Sequence, residues 1–292
     1  MQVIIAAAII FFVFAIWTYI DTNTVERVDF EVKSKKIPKE FDGFKIVYIT
    51  DIHNKTSKRN ITDKVIEKAN KEEADIAVLG GDYIFRSIIK YREEKLGDGL
   101  KESHGCVEDV EKAWEKLKML KAKDGVYAVL GNHDYWEKKS VTLENMEKSG
   151  VKSLDNAAYW LERGEARIRL GGTSDISEDM SDITKTVDEV NGEYTVLVCH
   201  SPVILTLPNK DVSKVDLMLA GHLHGGQINL FGIFSPLIQK RWRGNITHGR
   251  ATVNGVDLIL SKGVGTSLIP LRFCAKPDYC IITLRSDVDD RN

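Results

Sequence analysis

The 292-residue chain is poor in the residues that cross-link or punctuate structure. Six prolines are too few for a Pro-rich linker. Four cysteines, Cys106, Cys199, Cys274 and Cys280, form no C-x-x-C pair and none of the spacings of a zinc module. That excludes a thiolate-built metal site and a disulfide-framed miniprotein. A Cys274–Cys280 disulfide is compatible with the spacing but not assigned by it. There is no surplus of one charge either: 41 Lys+Arg against 43 Asp+Glu leave −2. With no global basic field, nucleic acid is not an expected partner, and an anionic ligand must be met by a local site. Internal repeats, low-complexity tracts and composition breaks are absent. What is present, 43% hydrophobic and 29% charged residues, suits one large globular domain.

One long hydrophobic run stands apart. Residues 3–20 carry no charge, and at about 1.5 Å per helical residue they reach roughly 27 Å, the thickness of a bilayer core. No Lys or Arg precedes the run and no small-x-small cleavage site follows it, which disfavours a cleaved signal peptide. It has no polar face, which disfavours a core helix. Residues 1–20 are therefore expected to be an uncleaved transmembrane anchor, making this a single-pass membrane protein. The flank mixes Asp21, Glu26, Asp29 and Glu31 with Arg27, Lys33, Lys35 and Lys36. The positive-inside count leans toward a cytoplasmic body but leaves the side open.

Beyond it, short β-branched runs alternate with amphipathic stretches, the pattern of an α/β fold. Strands are predicted at 45–49, 76–79, 127–130, 168–170, 195–198, 217–220, 258–260 and 279–284. Helices are predicted at 61–70, 107–121 and 141–148, the last stopped by Gly150. The charged, glycine-containing segment 86–105 fits neither period and reads as a long loop, a lid or a plain solvated connection. The expected organisation is anchor 1–20, juxtamembrane segment and first strand 21–43, body 44–286 and tail 287–292.

Five of the seven histidines directly follow a strand candidate in company with Asp or Asn: Asp51-Ile52-His53, Gly131-Asn132-His133-Asp134, Cys199-His200 and Gly221-His222-Leu223-His224. Asp82, in Gly80-Gly81-Asp82, is placed alike. In an α/β sheet the carboxyl ends of the strands converge on one edge, so five segments would deliver polar side chains to one place. Each alone is commonplace. Together they are too many polar groups to bury unpartnered, at several kcal/mol apiece. A metal centre resolves the problem. Imidazole and carboxylate without thiolate suit Zn²⁺, Mn²⁺ or Fe rather than the all-oxygen sites of Ca²⁺ or Mg²⁺. Seven such ligands exceed one tetrahedral ion and point to two divalent metals.

The order D-x-H, G-D, G-N-H-D, a lone His and G-H-x-H resembles the calcineurin-like metallophosphoesterase superfamily over about residues 45–284. Gly221-His-Leu-His-Gly-Gly-Gln-Ile228, Gly131-Asn-His-Asp-Tyr135 and Lys262-Gly-Val-Gly-Thr-Ser267 followed by Pro270-Leu-Arg272 look like its membrane-anchored bacterial YkuE/YaeI-type phosphodiesterase branch. The resemblance implies a four-layer α/β/β/α sandwich. It implies one metal on Asp51, His53, Asp82 and His224, and a second on Asp82, Asn132, His200 and His222, with Asp82 bridging. It further implies His133 as the catalytic, non-ligand histidine. Phe85 stands where the protein-phosphatase branch has an orienting Asp, which disfavours a protein phosphatase; Asp134 is an alternative orienting group or a backbone cap. The expected reaction is in-line attack on phosphorus by hydroxide held between the ions. Arg272 and Lys262 are candidates to contact substrate phosphate, and Gln227 with Gly225-Gly226 to shape the pocket floor. His104 and His248 lie outside the signature. A phosphodiester or pyrophosphate is the expected substrate class, with a lipid or lipid-linked nucleotide suggested by the anchor. Competing readings are a non-catalytic membrane-anchored metal-binding scaffold, which would be favoured by a lost ligand position, and a phosphomonoesterase or nuclease of the same superfamily. A nuclease would want a basic groove, and Lys and Arg do not cluster around the motifs.

Overall fold

A computed structural model describes residues 1–54, 61–85, 105–230, 235, 242, 244, 246–267 and 269–288. The expected 86–105 loop, apart from its last residue, lies outside these, as do His104 and the side chain of Cys106. Twelve strands occur among the described residues. They are β1 (Glu26–Ser34), β2 (Lys45–Ile49), β3 (Ile76–Leu79), β4 (Val126–Ala128), β5 (Lys152–Ser153), β6 (Ala157–Arg163), β7 (Ala166–Gly172), β8 (Thr195–Val198), β9 (Leu217–Ala220), β10 (Gly249–Val253), β11 (Val256–Leu260) and β12 (Asp278–Ser286). The helices are α1 (Gln2–Asn23), α2 (Ile61–Asn70), α3 (Gly105–Leu117), α4 (Asn132–Lys148) and the single turn α5 (Thr184–Val187).

The strands form two six-stranded mixed sheets, ordered β1-β12-β2-β3-β4-β5 and β10-β11-β9-β8-β7-β6. In the first, β2, β3, β4 and β5 run parallel. In the second, β11, β9, β8 and β7 do. The inner strands are short all-apolar runs because a strand buried on both faces has no polar side to show. Alternation still sorts them. Ile46, Tyr48, Ile76 and Val78 face Val196, Val198, Leu217 and Leu219 between the sheets, while Val47, Ile49, Ala77 and Leu79 pack under the helices with Val65, Val110, Trp114 and Leu117. The outer face of the second sheet, Leu197, Met218, Ala220 and Leu258, is covered by Val203, Ile204, Leu205, Val212 and Val215. Here the expected outer helix layer is thin: among the described residues it consists of a 3-10 turn over Pro202–Thr206, α5 and irregular chain.

Several predicted boundaries move. The helix expected at 141–148 is the second part of α4, which breaks at Lys138 (φ 149°, ψ 101°); a first part begins at Asn132, where Asp134 accepts from the Gly131 N–H and starts it at the motif itself. The helix expected to reach 121 ends at Leu117. The boundary expected at residue 44 falls inside the first sheet, since β1 pairs with β12 over nine residues. Cys274 and Cys280 are free thiols, so no disulfide joins them.

α1 is long and apolar enough to cross a membrane. Its apolar side chains, Ile10, Phe11 and Phe12 among them, are exposed, and its buried residues are Thr18, Asp21 and Thr22 at the end next to the body.

Candidate metal centre

The carboxyl ends of β2, β3 and β4 meet those of β8 and β9 at one end of the sandwich. Immediately past them the backbone does what L-residues rarely do: Asp51, His53, Asp82, His222 and His224 all take positive φ, between 44° and 71°. That region costs a non-glycine residue on the order of 1–3 kcal/mol and persists only where the surroundings enforce it. Enforcement is visible in backbone hydrogen bonds between the loops. Asp51 N–H donates to Gly81 O (3.0 Å), His53 N–H to Asp82 O (2.9 Å) and Gly265 N–H to Asp51 O (2.6 Å). Gly81 is needed here, because at φ +94° a Cβ would lie 2.5 Å from the Gly131 nitrogen. At Gly131 a Cβ would strike Asp82 Oδ1.

Two outer groups of donor atoms result, with a third between them. Asp51, His53 and His224 bring ligand atoms together in one outer group and Asp82, His200 and His222 in the other, while His53, Asp82 and His133 form the third. His53 Nε2 lies 3.1 Å from His224 Nε2, and His224 Nε2 lies 3.4 Å from Asp51 Oδ1. His222 Nδ1 lies 2.9 Å from His200 Nε2. Asp82 Oδ2 sits between the groups, 3.5 Å from His53 Nε2 and 3.3 Å from His200 Nε2. Its other oxygen accepts from the His133 N–H (2.9 Å). Asp51 is oriented likewise: Oδ2 accepts from the His222 N–H and Thr50 Oγ1, both 2.9 Å, and Oδ1 is left facing the imidazoles. His200 Nδ1 is 2.8 Å from Gly80 O and His53 Nδ1 is 3.3 Å from Ile84 O, a pairing that places the proton on Nδ1 and the lone pair on Nε2.

These residues fit a pair of divalent cations. Asp51 Oδ1, Asn132 Oδ1 and His222 Nε2 are buried without a hydrogen-bond partner, and such atoms are costly unless something electropositive meets them. Burial pulls His53 and His224 well below the usual histidine range, keeping them the neutral imidazoles a cation needs. Burial would push Asp82 up, but the surrounding imidazoles of His200 and His133 hold its carboxyl well down, ionised.

With that geometry, comparison with known proteins is decisive. The sequence profile described as "Calcineurin-like phosphoesterase" matches residues 44–226. The chain belongs to that family. It is 26% identical over 274 residues to an uncharacterized metallophosphoesterase of Bacillus subtilis, YkuE, spanning 92% of this chain and 88% of that one. It is 24% identical over 295 residues to a zebrafish protein named "Transmembrane protein with metallophosphoesterase domain", spanning 96% of this chain and 62% of that one. A solved crystal structure superposes with a TM-score of 0.50 at 14% identity, over 74% of this chain and 89% of the other, and shares the fold.

The remaining expected residues of this metallophosphoesterase are distributed unevenly. His133 is at the centre: its Nε2 is 4.0 Å from Asp82 Oδ2, and its ring packs 4.3 Å from Trp136 and 4.6 Å from His53. Asp134 does not orient it. Instead its carboxylate accepts from the backbone N–H groups of Asp82 (2.8 Å), Tyr83 (3.0 Å) and Gly131 (2.9 Å), fixing the bridging loop against the helix start. Burial, with the adjacent Asp82 charge, pushes that carboxyl up to about 8.

Arg272 is not at the substrate: it is wholly buried, with its N–H groups committed to backbone carbonyls. Lys262 is also turned away, its ammonium 2.8 Å from Glu26 on β1, with its stem under Gly225, where a Cβ would lie 2.7 Å from it. Gln227 is buried and braces the 267–271 segment through Ser267 N, Ile269 O and Leu271 O. It shapes backbone rather than a pocket floor. His248 is exposed and lies apart. Sequence reasoning missed Thr50, Asp21 and Thr22; a Thr and an Asp closing an otherwise apolar helix were the available signal for the last two.

Proposed function

We propose that the protein is a membrane-anchored, two-metal phosphoesterase that hydrolyses phosphodiester or pyrophosphate bonds. The observation that carries the reading is a pair of orphaned, buried oxygens, Asp51 Oδ1 and Asn132 Oδ1, together with a carboxylate oxygen that imidazole nitrogens of both groups approach. Asp51, His53, Asp82 and His224 would hold one cation, and Asp82, Asn132, His200 and His222 the other. Mn²⁺, Zn²⁺ and Fe all suit this donor set. When bound, the pair supplies Lewis acidity that activates water and offsets phosphoryl charge.

The chain's own residues do the rest. Asp82 spaces the two groups through a single oxygen, the other being occupied by the His133 N–H. Asp134 keeps the Asp82 loop rigid, so the site is preorganised. His133, the histidine at the centre that is not assigned to either cation, is placed to hand a proton to the leaving oxygen. Phe85 and Trp136 flank its ring, at 5.9 and 4.3 Å, and keep water away from it. Membrane anchoring is supported by the exposed apolar surface of α1 and by the zebrafish relative's name. Because the buried end of α1 lies against the body, the site sits beside the membrane, which makes a lipid or lipid-linked phosphate ester the first substrate to try.

The test is hydrolysis of bis-p-nitrophenyl phosphate against p-nitrophenyl phosphate by the full chain in detergent, metal-stripped and then reloaded with Mn²⁺ or Zn²⁺. Metal-restored diester cleavage, abolished in Asn132→Ala and His133→Ala, is the expected result. Folded, metal-loaded protein that cleaves neither ester overturns the catalytic claim.

A further inference from the structure

The most heavily bonded side chain in the molecule lies outside the proposed ligand set. Arg272 is a fully buried cation with no carboxylate in contact, and its five N–H groups are matched by five carbonyl contacts. Nε and one Nη2 hydrogen go to Gly265 O (2.8 and 2.5 Å), the other Nη2 hydrogen to Lys262 O (2.9 Å), and Nη1 to His224 O (3.2 Å) and Ala275 O (2.9 Å); Nη2 also lies 3.3 Å from His224 Nδ1. One of these carbonyl partners belongs to the first donor group, and a second is bonded to it. His224 is one of its residues, and Gly265 donates its own N–H to Asp51 O at 2.6 Å. Among the described residues, no Arg272 hydrogen bond reaches Asp82, Asn132, His200 or His222.

Arg272 is in turn held by α1. Its backbone N–H donates to Thr22 Oγ1 (2.8 Å), and two residues on Cys274 N–H donates to Asp21 Oδ2 (2.7 Å). Between them Phe273 packs its ring 5.0 Å from Phe14 and 5.4 Å from Trp17. Asp21 and Thr22, two of the three buried residues of the apolar helix, are thus the ones that meet this loop. A tether would need no such matched polar contacts, because a buried hydroxyl and carboxylate are costly unless they are used.

We propose that Arg272 is a positioning residue for His224 and Asp51, and that the last turn of α1 locks it in place. The apolar helix is then a structural support of one cation site and not of the other. This rests on the two-metal reading above. It differs from a general stabilising role in being one-sided: five planar donors fix the loop bearing His224 and the turn bearing Asp51, while the Asp82–His200–His222 group is held by Asp134 and Gly80, its one link to the Arg272 side being the His222 N–H to Asp51 Oδ2.

The experiment is stepwise equilibrium binding of Mn²⁺ to the full chain in detergent, with electron paramagnetic resonance reporting whether the ions are spin-coupled, and with thermal melts in parallel. Wild type is expected to bind two ions in coupled form, and His53→Ala identifies the step that belongs to the first group. Arg272→Lys keeps the charge but not the planar fork, and is expected to weaken that step by about 10–100-fold, the effect of losing a partner behind a metal ligand. The other step should stay within about threefold, leaving an uncoupled spectrum. Thr22→Val, nearly isosteric, should weaken the same step by a smaller factor. Arg169→Lys removes a buried arginine that bonds Lys185 O remote from the centre and controls for lost stability; it should leave both steps unchanged.

Equal weakening of both steps in Arg272→Lys, or weakening of neither, overturns the proposal. If Arg272→Lys shows no cooperative melt, Thr22→Val decides, and its binding both ions as wild type does overturns the role of α1. Wild-type protein that binds no Mn²⁺ sinks the two-metal reading itself, a failure separate from those of the variants.

Discussion

The two sheets share a strand plan but divide the chemistry. The first sends Asp51, Asp82 and Asn132 with two histidines, His53 and His133, to the centre, and the second sends only imidazoles, His200, His222 and His224. The difference is also one of support. Around the first sheet, side chains of the same half do the fixing: Asp134 takes three backbone N–H groups of the β3 and β4 loops. The second sheet has no such carboxylate. Its loops are pinned by backbone contact with the first, His222 N–H to Asp51 Oδ2 and His200 Nδ1 to Gly80 O. The Asp82 loop is therefore preset by one half, whereas Asp51, His200 and His222 are held in place only once the sandwich has closed. A site divided this way exists only in the folded whole.

Asp82 is where that division can be broken most completely, since its single outward oxygen faces both groups. Asp82→Ala should remove both metals by elemental analysis and bring phosphoesterase activity down to that of metal-stripped protein. Retention of one tightly held ion would show that the halves are independent. His133→Gln breaks chemistry without breaking the division: kcat should fall by about 10²–10⁴ with both metals retained, as for loss of a proton donor. Asp134→Ala should unsettle the first half selectively. It leaves three buried N–H groups without their acceptor, at about 1–3 kcal/mol for each unsatisfied group. A lower melting temperature together with metal affinity down by about 10–100-fold is expected. A lower melting temperature with unchanged affinity would mean that the Asp82 loop needs no such brace.

How much of this was readable in advance follows the same line. The strands at 45–49, 76–79, 195–198 and 217–220 were placed to the residue, because a strand buried on both faces is a short apolar run ending where the polar motif begins. β5, β6 and β10 were missed, being two residues long or half-exposed strands at the edges of the sheets, where alternation is weak. The convergence of six of the seven expected donors, all but Asn132, was legible since each follows such a strand. Arg272 was misread for a physical reason: a charged side chain near a phosphate site looks like a ligand contact, and only the fold reveals four carbonyls waiting for it. The reach of α1 into the 272–274 loop was illegible for a related cause, as hydrophobicity reports that a helix can enter a membrane but not what its last turn touches.

The smallest expected effect concerns the covers of the two sheets. Leu117, at the end of α3, and Leu205, in the 3-10 turn below the second sheet, are both buried to 1% exposure. Leu→Ala at such sites costs about 2–5 kcal/mol, and the spread reflects how far the surroundings can collapse into the space left behind. Leu117 belongs to a thirteen-residue helix in the cluster that holds Trp114, Tyr83 and the face of the first sheet. A helix cannot move one side chain inward without moving its neighbours, so the cavity persists. Leu205 sits in five residues of 3-10 geometry between irregular segments, where i→i+3 hydrogen bonds are weaker and the backbone can settle. Leu117→Ala should therefore fall in the upper part of the range and Leu205→Ala in the lower, by about 1 kcal/mol in denaturant melts. Equal losses would mean that the turns cover the second sheet as rigidly as helices cover the first, and that the asymmetry between the halves stops at the metal centre.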